Sequence, residues 1–352
     1  MLNRFSISFS FISFFLLLSL IQNGCGSNQG EFPFIQDGKW GYIDKTGKIA
    51  INPQFDEAGF FSEGLAVVKV GDVYGYINRI GKYEINPQFD EASPFSDGIA
   101  WVKIDDKWGC IDRAGKFIVD PRFSDAYPFS EGLAPVKLNS KYGYINRKGK
   151  IVINPQFGDA SLFSEGLAPV EIQYSRWGYI NKRGKIVINP LFRYAGSFSE
   201  GLAPVGIESS SQPIPSKYGY IDRTGKIVIK PQFEYASLFS EGLAAVISEK
   251  KWGYINKKGK LVIKPQFEHA FPFSEGLAAV KIDGKWGYID KTGKIIIAPQ
   301  FEVTAGFLGE LAYVETNNKW GYIDRTGKFV WNTTEKKPFW HHVILFLFPS
   351  PP

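Results

Sequence analysis

The stretch Lys251 to Ile282, reading KWGYINKKGK, LVIKPQF, EHAFPFSEG and LAAVKI, decides how the chain folds. In its first piece Trp252, Tyr254 and Asn256 alternate with Gly253 and Ile255, the period of two expected of a strand. Asn256-Lys257-Lys258-Gly259 then predicts a reversal, because an Asn side chain can bond backbone two residues on and Gly supplies a positive φ. The β-branched return strand Leu261-Val262-Ile263 is expected to stop at Pro265, which has no N–H for a ladder. Phe267 and Phe273 read as plugs for a core on either side of a connector. A third strand, Leu277 to Ile282, turns at Asp283-Gly284, a favoured hairpin dipeptide, into Trp286. The unit is thus a three-stranded meander.

Working outward, the glycine after Trp or Tyr recurs at Gly41, Gly75, Gly109, Gly143, Gly178, Gly219, Gly253, Gly287 and Gly321, in steps of 34, 34, 34, 35, 41, 34, 34 and 34 residues. Such a period signals a repeat array. A 34-residue hairpin unit cannot bury both its faces alone, so neighbours must stack. The expectation is an all-β chain of tandem meanders forming an open β-solenoid or superhelix. A closed β-propeller is the alternative, although four-stranded blades commonly take about 40 residues or more. The chain divides into a signal peptide at 1–24, a lipidated cysteine and tether at 25–38, nine units at 39–331 with the last incomplete, and an atypical hydrophobic tail at 332–352.

The N-terminus carries its own signals. Arg4 precedes an apolar stretch from Phe5 to Ile21, the layout of a secretory leader. Ile21-Gln22-Asn23-Gly24-Cys25 resembles a bacterial lipoprotein signal, with Gly24 as the small residue before Cys25 and Gln22 departing from the usual Leu. That resemblance implies lipid on Cys25, and Gly26 to Gly30 would be a flexible polar tether. The only other cysteine, Cys110, fills a slot that eight other units give to Tyr and reads as a small buried hydrophobe.

Among 352 residues 16% are aromatic, which argues against disorder. The net charge of +6 comes from 41 basic and 35 acidic residues spread evenly along the repeats, the pattern of a solvated mixed surface and not of a nucleic-acid binder. Phe-Ser-Glu-Gly recurs from unit to unit, so its carboxylate reads as structural, with Ser and Glu accepting backbone N–H bonds. The Trp or Tyr before each Gly reads as a core seam, with a sugar-binding ladder as the other reading. No zinc spacing, phosphate loop or nucleophile elbow occurs. Catalytic residues, metal ligands and cofactors are expected to be absent.

Variation concentrates in the turn before each Trp and culminates in the insert Glu208 to Ser216, which reads as an exposed flexible loop. Insertions in repeat scaffolds collect on one face, so Gln173, Tyr174, Glu208, Ser210, Gln212 and Ile214 mark the candidate interaction rim. The string [KR]-[WY]-G-Y-I-[DN]-x-x-G-K, followed by P-Q-F and F-S-E-G-L-A, resembles the WG or KWG repeat family of bacterial proteins from about Lys39 to Trp331. That resemblance implies a β-repeat protein, often exported. The expected function is a non-catalytic, lipid-anchored scaffold at the bacterial cell envelope that binds a protein or other ligand, with a carbohydrate or cell-wall binding module as the alternative.

Overall fold

In the computed structural model, which describes residues 31–335 except 174, 210 and 211, every repeat turns the chain through antiparallel strands that assemble into nine separate sheets. Eight sheets have four strands and the first has three. In blade seven the order is Tyr235–Ala236, Leu243–Ser248, Lys251–Asn256 and Leu261–Phe267, from inner edge to outer. The last strand then feeds the inner strand of the next blade, His269–Ala270.

This overturns the open solenoid: the molecule is a nine-bladed β-propeller. The fourth strand takes only two residues per blade, which is how 34 residues suffice. Closure also requires the ends to meet, and they do. Tyr322 donates its hydroxyl to the Pro33 carbonyl at 2.9 Å, the Asp37 and Gly38 N–H groups donate to the Glu335 carboxylate at 3.0 Å each, and Trp40 stacks on Trp320 at 5.9 Å. One hydrophobic cluster joins Phe32, Phe34 and Trp40 to Leu311, Tyr313 and Trp320. Residues 31–36, assigned from sequence to the tether, form a strand of the first blade.

Within a blade the Trp-Gly strand is the spine. Trp252 pairs with Phe267 and Tyr254 with Ile263, so Gly253 alone faces the bulge Lys264, Pro265 and Gln266. A Cβ on Gly253 would stand 2.7 Å from both the Ile263 oxygen and the Pro265 nitrogen, which is why no other residue serves. The outer strand does not stop at Pro265 as expected but runs on to Phe267, and proline sits in it harmlessly because its outer side has no partner to bond. Phe267 and Phe273 are buried plugs, as the sequence predicts.

Blades hold one another through three recurrent bonds. In every blade but the third, which has Cys110 there, the Tyr after the Trp-Gly or Tyr-Gly reaches the next blade, as Tyr254 does by donating to the Phe271 carbonyl at 2.7 Å. Ser130 donates to the Phe163 carbonyl of the next blade at 2.6 Å. Glu165 accepts from Gly201 N–H of the next blade at 3.0 Å. The serine is therefore a donor, contrary to expectation, while the glutamate accepts backbone N–H as foreseen, from its neighbour. Glu165 sits at φ 54° and Gly166 at φ 82°, the two central residues of a tight turn closed by Ser164 and Leu167. A glutamate in the left-handed region is unfavourable. The bond to the next blade explains why it stays.

Candidate functional site

Strand order fixes what each face of the ring carries. The loops containing Ser-Glu-Gly and the turns containing Asp/Asn-x-x-Gly-Lys lie at one end of every blade, which we call the clasp face. The turns before each Trp and the crossings into the next blade lie at the other, the variable face.

On the variable face, the first residue of an inner strand and the Trp or Tyr of the third strand alternate from blade to blade. In blades two to four the inner residue is acidic and internally partnered. Glu57 accepts from the Tyr74 hydroxyl at 2.9 Å and from Lys69 at 3.2 Å, Glu91 pairs with Lys103 at 2.8 Å, and Asp125 accepts from the Tyr142 hydroxyl at 2.5 Å. Burial pushes the Asp125 and Asp159 carboxyls up, and Glu171, directly across from Asp159, pushes it further.

In blades six to eight the same positions are rings. Tyr194 lies 5.5 Å from Tyr218, Tyr218 5.7 Å from Tyr235, Tyr235 5.3 Å from Trp252, Trp252 4.7 Å from His269, and His269 5.3 Å from Trp286. Between Tyr194 and Tyr218 the intervening strand has Gly206, where other blades place Lys69, Lys103, Lys137 or Ile247. That glycine leaves the two rings uncovered by a side chain. Tyr194 and Tyr235 are 38% and 39% exposed, whereas Trp252 and Trp286, at 6% and 9%, are packed between blades.

Desolvation nevertheless pushes the Tyr194, Tyr218 and Tyr235 hydroxyls up, and for Tyr194 the hydroxyls of Tyr235 and Tyr218 add to it. Tyr194 and Tyr235 thus offer part of their rings to solvent within a crowded aromatic patch, termed here the tyrosine recess. Among the described residues these three hydroxyls make no hydrogen bond, unlike those of Tyr74 and Tyr142. The recess can therefore stack on an apolar ring face and exchange hydrogen bonds with polar groups at its edge.

Beside it stands the insert. Instead of the loop expected from sequence, strands Leu202–Ser209 and Gln212–Asp222 prolong one hairpin, pairing Glu208 with Pro215 and Ser209 with Gln212. Of the sequence-nominated rim, Gln173 is exposed at the end of Leu167–Gln173 on this face, and Glu208, Gln212 and Ile214 lie in the hairpin strands. Tyr174 and Ser210 lie outside the described residues, as does Cys25. The described members of that rim, Gln173, Glu208, Gln212 and Ile214, lie on the variable face. The structure adds Tyr194, Tyr218 and Tyr235, which the sequence reading passed over; the signal was Tyr where earlier units have Glu or Asp, together with Gly206.

Cys110 is fully buried and its thiol is pushed up to about 12 by burial, so it is inert at neutral pH. It faces Trp101 across the strands, where the other blades except the ninth set Tyr against Pro, Val or Ala, so a small residue and a large one have exchanged sides. Trp101 stacks on Phe129 at 5.8 Å in the place of the missing tyrosine. Among the described residues no three His, Cys, Asp or Glu side chains gather as a metal set.

Comparison with known proteins agrees with this architecture. A eukaryotic initiation factor structure superposes with a TM-score of 0.63 at 11% identity, over 88% of this chain and 96% of that one. BamB from Moraxella catarrhalis gives 0.44 at 10%, over 74% and 93%, and apo AztD from Citrobacter koseri 0.37 at 15%, over 69% and 81%. At 11% identity the initiation-factor likeness concerns fold alone, and the two weaker superpositions carry no argument. No curated protein matches the sequence. The WG containing repeat matches eight times, at 40–74, 74–108, 108–142, 142–173, 177–208, 218–252, 252–286 and 286–320, and the chain belongs to the WG containing repeat family.

Proposed function

We propose that this protein is an exported, non-catalytic binding propeller, held at the bacterial cell envelope by lipid on Cys25, that takes its ligand at the tyrosine recess of the variable face. One observation carries the binding site: the side-chain substitutions at Tyr194, Tyr235 and Gly206 and the extended hairpin Leu202–Asp222 break the ninefold pattern in the same place. The repeated Ser and Glu side chains, by contrast, are consumed in bonds between blades, which leaves them no catalytic task. The export and anchor parts rest on the leader-like stretch Phe5 to Ile21 and on Gly24-Cys25.

A protein ligand remains one reading. A carbohydrate is the second, favoured by three hydroxyls that make no hydrogen bond among the described residues, beside partly exposed ring faces. Screening the chain from Gly26 to Pro352 on a glycan array and against envelope proteins separates them. Binding abolished by Tyr194→Ala with Tyr235→Ala supports the recess, and binding that survives both changes refutes it. Metabolic palmitate labelling that disappears with Cys25→Ala supports the anchor; persistence of the label contradicts it.

A further inference from the structure

Along the sequence the basic residues look evenly scattered, yet strand topology collects them. All nine Asp/Asn-x-x-Gly-Lys turns and all the Ser-Glu-Gly loops project from the clasp face. Together with Glu31 they hold 21 Lys and Arg against 14 Asp and Glu, an excess of seven where the whole chain has +6. Arg4, Lys336 and Lys337 lie outside the described residues, so the rest of the described chain holds 17 Lys and Arg against 21 Asp and Glu, a net of −4.

Two kinds of cation share this face. The first basic residue of a turn clasps the adjacent blade, as Lys182 does with Glu131 at 3.1 Å and Arg325 with Glu275 at 2.9 Å. The lysine after the glycine does not. Lys48, Lys150, Lys185, Lys260 and Lys294 are exposed, and among the described residues none is held in a salt bridge. With their counterparts in the other blades they make a ninefold crown of exposed lysines at this face, beside an Asp that opens the turn in five blades and an uncharged Asn in four.

The chain enters the fold at the same face. Glu31 pairs with Asp44 at the start of the first turn and forms an ion pair with Arg79. Only Gly26 to Gly30 separate it from Cys25, a reach of about 20 Å when fully extended. A single acyl chain binds membranes weakly, and a basic patch is the usual second signal.

We propose that the lysine crown docks the clasp face on the anionic headgroup surface of a bilayer, so that the tyrosine recess faces away from the membrane. The orientation rests on the Cys25 anchor proposed above; the docking itself does not require it. The test uses the chain from Gly26 to Pro352, which keeps every contact described, in co-sedimentation with vesicles of phosphatidylcholine alone or with about a third phosphatidylglycerol. Binding is expected only to the second, weakening as salt rises, because surface charges are screened over about 8 Å at physiological ionic strength.

Lys150→Gln with Lys185→Gln and Lys260→Gln should weaken it by about tenfold or more. Lys107→Gln with Lys141→Gln and Lys251→Gln, all exposed on the variable face, should leave it unchanged. Equal binding to both vesicles, equal loss in both triple variants, or binding to duplex DNA as tight as to the anionic vesicles overturns the proposal. Palmitate labelling that persists in Cys25→Ala, with vesicle binding intact, would remove the anchor and leave the docking standing, so the two readings fail separately.

Discussion

The clasp face and the variable face are built from the same 34 residues, yet one keeps its pattern around the ring and the other does not. On the clasp face a glutamate tolerates a left-handed backbone because its neighbour needs the carboxylate, as Glu131 shows by accepting from both Gly166 N–H and Lys182. On the variable face the turns before Trp or Tyr are held through their backbone N–H groups, as Gly71 is by Asp56, Gly284 by Glu268 and, across the seam, Asp37 and Gly38 by Glu335, so their own side chains are not needed. Sequence is held where a side chain serves the next unit and drifts where it serves none. A repeat scaffold can therefore acquire a ligand site on one face without loosening the ring.

The largest effect should come from the core between the faces. Trp101→Ala is expected to cost about 4 kcal/mol in urea denaturation. Adding Cys110→Tyr, which restores the pair used by other blades, should return a substantial part; strict additivity of the two changes would refute the exchange of volumes.

Next is a pH effect specific to the variable face. Burial, with Lys281 opposite, pushes His269 down to about 4 from its usual 6.5. The unfolded chain then takes up a proton that the folded one refuses, so stability falls as pH drops below about 6.5. Between pH 7 and pH 5 the loss assigned to this group is about 2 kcal/mol, and His269→Tyr should remove that part of the slope. An unchanged slope would show that the imidazole is not desolvated.

A smaller effect sharpens the contrast. Glu131→Ala should cost about 1 kcal/mol, since its bonds are partly solvated. Smallest in stability are Tyr194→Ala and Tyr235→Ala, expected within about 0.5 kcal/mol for exposed positions, but with loss of ligand binding. If the tyrosines destabilise more than the glutamate, the faces do not divide the work as described.

Much of this was legible in the sequence. The period, the Asn256 turn, the close approach at Gly253 and the Phe267 and Phe273 plugs follow from residue types at fixed spacing, and each is present. Closure was not. The strand that turns a meander into a blade is two residues long, too short for any period to reveal, and ring contacts such as Tyr322 to Pro33 join residues 289 apart. Even spacing of lysines along a repeat also hides a one-sided charge, because equivalent residues of every unit share a face. Cys110 reads correctly as a small hydrophobe, but its compensation by Trp101 needs the strand register.

Ring closure is the claim on which both faces depend. Spin labels at Lys45→Cys and Glu310→Cys, exposed side chains that form a 3.3 Å ion pair across the seam, test it directly by pulsed electron paramagnetic resonance, with Cys25→Ala to avoid a third label. The closed propeller predicts one short separation, under about 30 Å, whereas an open stack would place first and last units about 80 Å apart at about 10 Å per sheet. A long or broad distribution would contradict the account.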